Sequence, residues 1–162
     1  MMSRSDAPLA MPYISGGYPP SAVDAGLLDS EHELLRREAA ELLLLAEHGW
    51  TLDRPMRDAL VERLKRLCDR LREHFQHEEE GDYLHDVLVR RPGLQGQVAR
   101  LQSQHGTFLS EGDALSRALL GERAPRDWPA RVVRLLEGLR RHEIAEVDLM
   151  QRAFLDDLGS GG

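Results

Sequence analysis

Two segments of the chain repeat one arrangement. LREHFQHE at 71–78 and LRRHEIAE at 139–146 each place a leucine, a histidine three residues later and a glutamate four beyond that. Residues three and four apart share a helix face. Leu71, His74 and Glu78 would therefore line one side of a helix, and Leu139, His142 and Glu146 one side of another. An imidazole and a carboxylate held this way can do two things. They can pair with each other as a buried ion pair, or they can turn their lone pairs on a metal cation. The spacing His-x-x-x-Glu alone is weak, because glutamate is abundant in this chain. Its register with the leucines is what carries weight, since ionisable groups facing an apolar core cost on the order of several kcal/mol unless something satisfies them.

Those pairs need helices to hold them, and four helical patterns follow one another. The first runs from about residue 23 to 47, with Leu28, His32, Leu35, Ala39, Leu42 and Ala46 on one stripe. HGW at 48–50 ends it, Gly49 being a good terminator. The second opens at TLDRPM, where Asp53 can cap and Pro55 is tolerated in the first turn. Its stripe is Met56, Leu60, Leu64, Leu67, Leu71, His74 and Glu78. The third lies between RRPG at 90–93 and Gly121, striped by Leu94, Val98, Leu101, His105, Phe108 or Leu109, and Leu115. The fourth begins near RAPRDWP and runs to about Leu158, striped by Val132, Leu135, Leu139, His142, Glu146 and Leu149. No segment alternates as a strand would. The pattern predicts an all-α fold, an up-down-up-down four-helix bundle over residues 23–158. Residues 1–22 hold four of the eight prolines and read as a flexible N-terminal tail, and 159–162 as a frayed end.

One histidine on each helix, His32, His74, His105 and His142, continues a leucine stripe. Taken singly, a histidine such as His105 reads as a hydrogen-bonded core residue. Four of them converging with Glu78 and Glu146 suit a pair of first-row metal ions, because carboxylates can bridge two cations and imidazoles complete each shell. Mixed nitrogen and oxygen ligation favours iron, with manganese and zinc as the alternatives. The remaining histidines read more plainly. His77 lies round the helix from His74, and with Glu79 and Glu80 it belongs to the wet side or to an outer layer of the site. His48 reads as a helix-end cap. His85 returns to the face of His74 only if the helix continues through Gly81, and otherwise sits near a loop. Glu137, Glu143 and Asp148 read as surface charges that could also brace the site. Leu71, Leu101, Phe108 and Leu139 would form its apolar wall.

Composition narrows the function classes. A net charge of −7 leaves no basic face to displace phosphate counterions, so nucleic acid is not the expected partner. The single cysteine, Cys68, excludes an internal disulfide and thiolate-built metal clusters. No apolar run approaches the roughly 18–20 residues that span a bilayer, and the N-terminus has no basic-then-apolar signal. A cytoplasmic protein with no membrane partner is the expectation.

The order His32 … His74-x-x-x-Glu78 … His105 … His142-x-x-x-Glu146 on four helices resembles the hemerythrin-like, HHE-type non-haem di-iron domain, over roughly residues 24–158. The resemblance implies that His32, His74, His105 and His142 ligate two iron ions, with Glu78 and Glu146 as bridging carboxylates and an oxo bridge between the metals. Oxygen-carrying hemerythrins have a further histidine four residues from the first on the third helix, and a final aspartate five residues after the last histidine. Leu101 and Leu109 flank His105 here, and Val147 stands at the aspartate position. The chain thus matches a four-histidine, two-glutamate variant. That subgroup implies iron binding or buffering, response to oxygen, peroxide or nitric oxide under stress, and repair of iron–sulfur clusters. The repair proteins usually carry an N-terminal cysteine, which this chain lacks, and its ligand set is one histidine short of the reversible carriers. The expected function is binding or reduction of a small oxidant at a di-iron centre. The alternative is a metal-free helical module that docks a protein partner through its tail. The C-terminal DLGSGG could likewise serve as a docking tag for a shell, though a glycine-rich end is more often frayed.

Overall fold

The computed structural model describes residues 22–48, 52–81 and 83–154, with the side chains of 22–29 and 48 left aside. The expectations placed on residues 1–21, on the Leu28 and His48 side chains, on Gly49 and on the C-terminal DLGSGG therefore lie outside the described residues. Within them the chain is helical, with no strand. Helices α1 (Ala22–His48), α2 (Arg54–Glu80), α3 (Tyr83–Arg90), α4 (Gln95–Leu119) and α5 (Trp128–Phe154) follow in order, with a 3₁₀ turn at Pro92–Leu94 before α4.

The start of α2 forms as its residues dictate. The Asp53 carboxylate accepts a hydrogen bond from the Met56 backbone N–H at 2.9 Å, and Pro55 occupies the first turn, where its missing N–H costs nothing. Met56 itself is 42% exposed, so the buried stripe of α2 begins one turn later, at Leu60. Gly81 ends the helix. Its N–H still bonds to the His77 carbonyl at 2.9 Å, but its backbone is extended, and a Cβ there would sit 2.4 Å from that carbonyl oxygen. The chain breaks at this point and restarts as α3. His85, tied in the sequence to a helix running through Gly81, is exposed on α3 instead.

The four long helices close a ring: α1 packs on α2 and α5, and α4 packs on the same two from the other side. At Gly112 the approach of α4 to α2 is so close that a Cβ would meet the Cys68 Sγ at 2.4 Å. Two apolar clusters fill the ring. The larger holds Leu42, Leu60, Leu64, Leu67, Leu115 and Val132 among others, with Trp128 closing it. The smaller, under α3, holds Leu84, Val87, Val98, Leu101, Leu149 and Ala153. Burying a leucine contributes roughly 1.5–3 kcal/mol relative to leaving it exposed, so both clusters hold the helices at a fixed rotation. In the gap between them lie six buried or nearly buried ionisable side chains. No helix among the described residues is long and apolar enough to cross a membrane.

Candidate metal centre

All six residues singled out by the stripes come together. His74, Glu78, His105, His142 and Glu146 are each no more than 4% exposed, and the His32 side chain is 12% exposed. Their lone-pair atoms fall into two quartets. His32, His74, Glu78 and Glu146 form one, and His105, His142, Glu78 and Glu146 the other, with the atoms of each quartet within 4.8 Å of one another. Both carboxylates belong to both quartets, and their oxygens divide between them. Glu78 Oε1 lies 2.8 Å from His74 Nε2 while Oε2 lies 3.2 Å from His105 Nε2. Glu146 Oε2 lies 3.4 Å from His32 Nε2 while Oε1 lies 2.7 Å from His142 Nε2. Each glutamate thus reaches histidines of both quartets.

The outer nitrogens explain why the inner ones are turned inward. His74 Nδ1 donates to Glu31 at 2.9 Å, His105 Nδ1 to Glu79 at 2.7 Å and His142 Nδ1 to the Gln104 carbonyl oxygen at 2.7 Å. His32 Nδ1 faces Glu143 at 3.7 Å, and Arg36 pairs with the same carboxylate. These partners run round the ring of helices. Glu31, next to His32 on α1, holds His74 of α2, and Glu79 of α2 holds His105 of α4. Gln104 of α4 holds His142 of α5, and Glu143 of α5 faces His32 of α1. Sequence reasoning placed Glu79 and Glu143 as at most outer groups and missed Glu31 and Gln104. Their one signal was position: a polar residue immediately beside a stripe residue points toward the neighbouring helix.

A carboxylate can only accept, so the proton on each imidazole held by Glu31 or Glu79 sits on Nδ1 and the Nε2 lone pair faces inward. There it meets carboxylate oxygens, which are also acceptors. His105 Nε2, His142 Nε2 and both oxygens of Glu146 are buried without a hydrogen-bond partner. Buried lone pairs aimed at one another cost free energy unless a proton or a cation stands between them. The donor set of imidazole nitrogen and carboxylate oxygen, braced by further carboxylates and an amide, is the set that first-row cations take.

In the protein alone, protons answer part of that need. Burial disfavours charge on His74, but Glu78 and Glu31 outweigh it and carry its pKa up to about 9. Burial likewise opposes charge on His105, and Glu78 and Glu79 reverse the balance upward. Burial would lift the Glu146 carboxyl, yet His142 and His32 hold it well below the ordinary carboxylate range. Glu31 is lowered in the same way, burial being outweighed by His74 and by His77, whose Nδ1 donates to it at 2.7 Å. Tyr83, at the start of α3, was not expected near the centre. Its phenol is pushed up by burial and by the negative charges of Glu146 and Glu78.

The aromatic surroundings are uneven. Phe75 stacks on His105 with ring centroids 3.9 Å apart, and Phe108 meets His142 edge-on at 5.3 Å. His32 and His74 touch each other edge-on at 4.7 Å. Of the expected apolar wall, Leu71 and Leu101 are buried, and Phe108 and Leu139 half-buried. Glu137 pairs with Arg141, and Asp148 with Arg152, at the exposed surface rather than at the centre.

Comparison with protein families finds the hemerythrin HHE cation binding domain, matched over residues 24–151. Comparison with curated proteins and with solved structures gives no match.

Proposed function

The chain belongs to the hemerythrin HHE cation-binding family, and from that premise we propose that it holds two iron ions and uses them on a small oxidant: oxygen, peroxide or nitric oxide. One observation carries the reading. Buried imidazole and carboxylate lone pairs face one another in two quartets that share both glutamates. In this reading His32 and His74 serve one metal, His105 and His142 the other, and Glu78 and Glu146 bridge them. The four long helices run up-down-up-down, each bringing one histidine.

Iron held by these six residues would supply reducing electrons, one per ferrous ion, for a small oxidant. The residues of the chain do the rest. Glu31, Glu79 and Gln104 fix the imidazole tautomers and their orientation. Phe75 and Phe108 pack against the rings of His105 and His142 and hold them in place. Iron buffering in a stressed cell goes with the same donor set.

The test is metal analysis beside an optical spectrum, on protein reconstituted with ferrous iron and then exposed to air. About two irons per chain are expected, with a near-ultraviolet charge-transfer absorption that changes on adding peroxide or nitric oxide. Colourless protein with less than about half an iron per chain would overturn the reading and favour a metal-free network of ion pairs.

A further inference from the structure

A groove of about 820 Å³ runs between α1 and α5 and ends on the centre. At its deep end it exposes His32, His74, His142 and Glu146. Away from the centre its walls are aliphatic: Leu35, Ala39, Ala40 and Leu43 from α1, with Leu136 and Leu139 from α5. The charged residues that border it, Arg36, Glu137 and Arg140 among them, are exposed and stand at the rim. A diatomic gas needs no more room than a water molecule, about 30 Å³. The groove instead has the volume of sites that hold drug-sized ligands, roughly 300–1,000 Å³. From His32 to Glu47 its α1 wall extends about 22 Å at the helical rise.

The polarity is arranged along this length. The buried polar groups are at one end, where the Arg36–Glu143 ion pair also joins α1 to α5; aliphatic side chains follow for several turns, and the other charges stand where the groove meets water. Exposed Ile144 and Val147 prolong the apolar lining beside the centre. Two small residues, Ala39 and Ala40, open the space where longer side chains would close α1 onto α5. A small polar molecule would leave most of this surface wet, whereas a straight aliphatic chain would cover it.

We propose that the α1–α5 groove binds the hydrocarbon chain of a long-chain amphiphile, such as a fatty acid or its hydroperoxide, and presents its polar head to the His32 and Glu146 end of the centre. The placement of the head rests on the metal-binding reading above, and the binding of the chain does not. On that reading the oxidant handled by the centre is a lipophilic one.

The test uses the full chain, with and without iron. Cis-parinaric acid, a fluorescent straight-chain fatty acid, is titrated into the iron-free protein and displaced by a series of saturated fatty acids from octanoate to hexadecanoate. The dissociation constant should fall about three- to fourfold for each added methylene until the groove is full. Ala40→Trp, at an exposed position of the groove wall, should weaken hexadecanoate binding at least tenfold with iron content unchanged, and Val147→Trp serves if the first variant loses its helical circular dichroism. In iron-loaded protein, hexadecanoate should shift the near-ultraviolet absorption at concentrations where acetate does not. Affinity that is flat along the series, or unaffected by a folded groove variant, overturns the proposal. So does a dimer whose formation abolishes binding, since it gives this face to a second copy. Fatty-acid binding without iron binding would overturn the di-iron reading and leave the chain site standing; iron binding without chain-length dependence would do the reverse.

Discussion

The two quartets share Glu78 and Glu146 and add two histidines each, yet they sit in different surroundings. His105 and His142 are walled by Phe75 and Phe108, and their outer partners are one carboxylate, Glu79, and one amide, Gln104. His32 and His74 both line the α1–α5 groove, which His142 reaches as well but His105 does not. Glu31 holds His74, while Glu143, paired with Arg36, faces His32 at 3.7 Å without a hydrogen bond. The repeated His-x-x-x-Glu spacing makes the halves look equivalent, but side chains one residue away from the ligands make them unequal. An imidazole whose Nδ1–H is held by a carboxylate is a more basic donor than one held by an amide. Each half thus has one imidazole held by a carboxylate, His74 and His105, and the second half adds one held by an amide, His142. Both histidines of the first half line the groove, but only His142 of the second does.

Breaking what the halves share should have the largest effect. Glu146→Gln removes a charge shared by both quartets, and on the two-metal reading metal content should drop from about two ions per chain to well below one, measured by elemental analysis after reconstitution. Retention of two ions would show that the glutamates do not bridge.

Removing one half comes next. His142→Ala and His32→Ala should each leave about one metal per chain with the helical signal intact. If both variants lose everything, the quartets do not act as separate positions.

Smaller still are changes in the outer partners, which typically alter metal affinity about 10–100-fold. Glu31→Gln should weaken the His74 side by that order. Gln104→Glu should strengthen the His142 side by a similar order, read as a change in one of the two stepwise affinities in a calorimetric titration. Equal and unchanged affinities in both variants would erase the distinction between the halves.

The mildest probe is pH. In iron-free protein His74 is raised to about 9, so its contribution to stability is complete below its ordinary value near 6.5 and fades as pH climbs through about 9. Glu146 is lowered, so its contribution is present above about 4.5 and fades in acid. Melting temperature without metal should therefore peak between about pH 5 and 6.5 and decline on either side. Metal affinity should instead keep rising over the alkaline part of that range, because a cation competes with the protons on the imidazoles. A melting curve that is flat from pH 5 to 9 would mean that these ion pairs contribute nothing.

The fold was legible where periodicity was long and the core one-sided. Every described stripe residue from Leu60 to Glu78 is buried in α2, and all six candidate ligands meet, because each one continues a run of leucines whose burial sets helix rotation. The break at Gly81 was less legible, since a helix-tolerated glycine and a helix-ending one look alike in sequence, and α3 went unforeseen for that reason. Glu31, Gln104 and Tyr83 were hidden for another. Each acts across an interface between helices, and a stripe on one helix says nothing about which neighbour its flank will touch. The groove was equally invisible, because Ala39 and Ala40 are ordinary helix formers until α5 is seen opposite them.

The circular order of the outer partners has a consequence for assembly. Every long helix carries one inward histidine and, next to it or to its glutamate, a residue turned to a histidine on the next helix round: Glu31, Glu79 and Gln104 hold theirs by hydrogen bonds, and Glu143 faces His32. Advancing any one helix by a single residue turns its side chains by about 100°. That one error would withdraw a donor from one metal position and unlatch an imidazole elsewhere in the ring. The centre thus works as an alignment gauge: it reads the rotation of four helices at once, and a cation can close it only when all four agree.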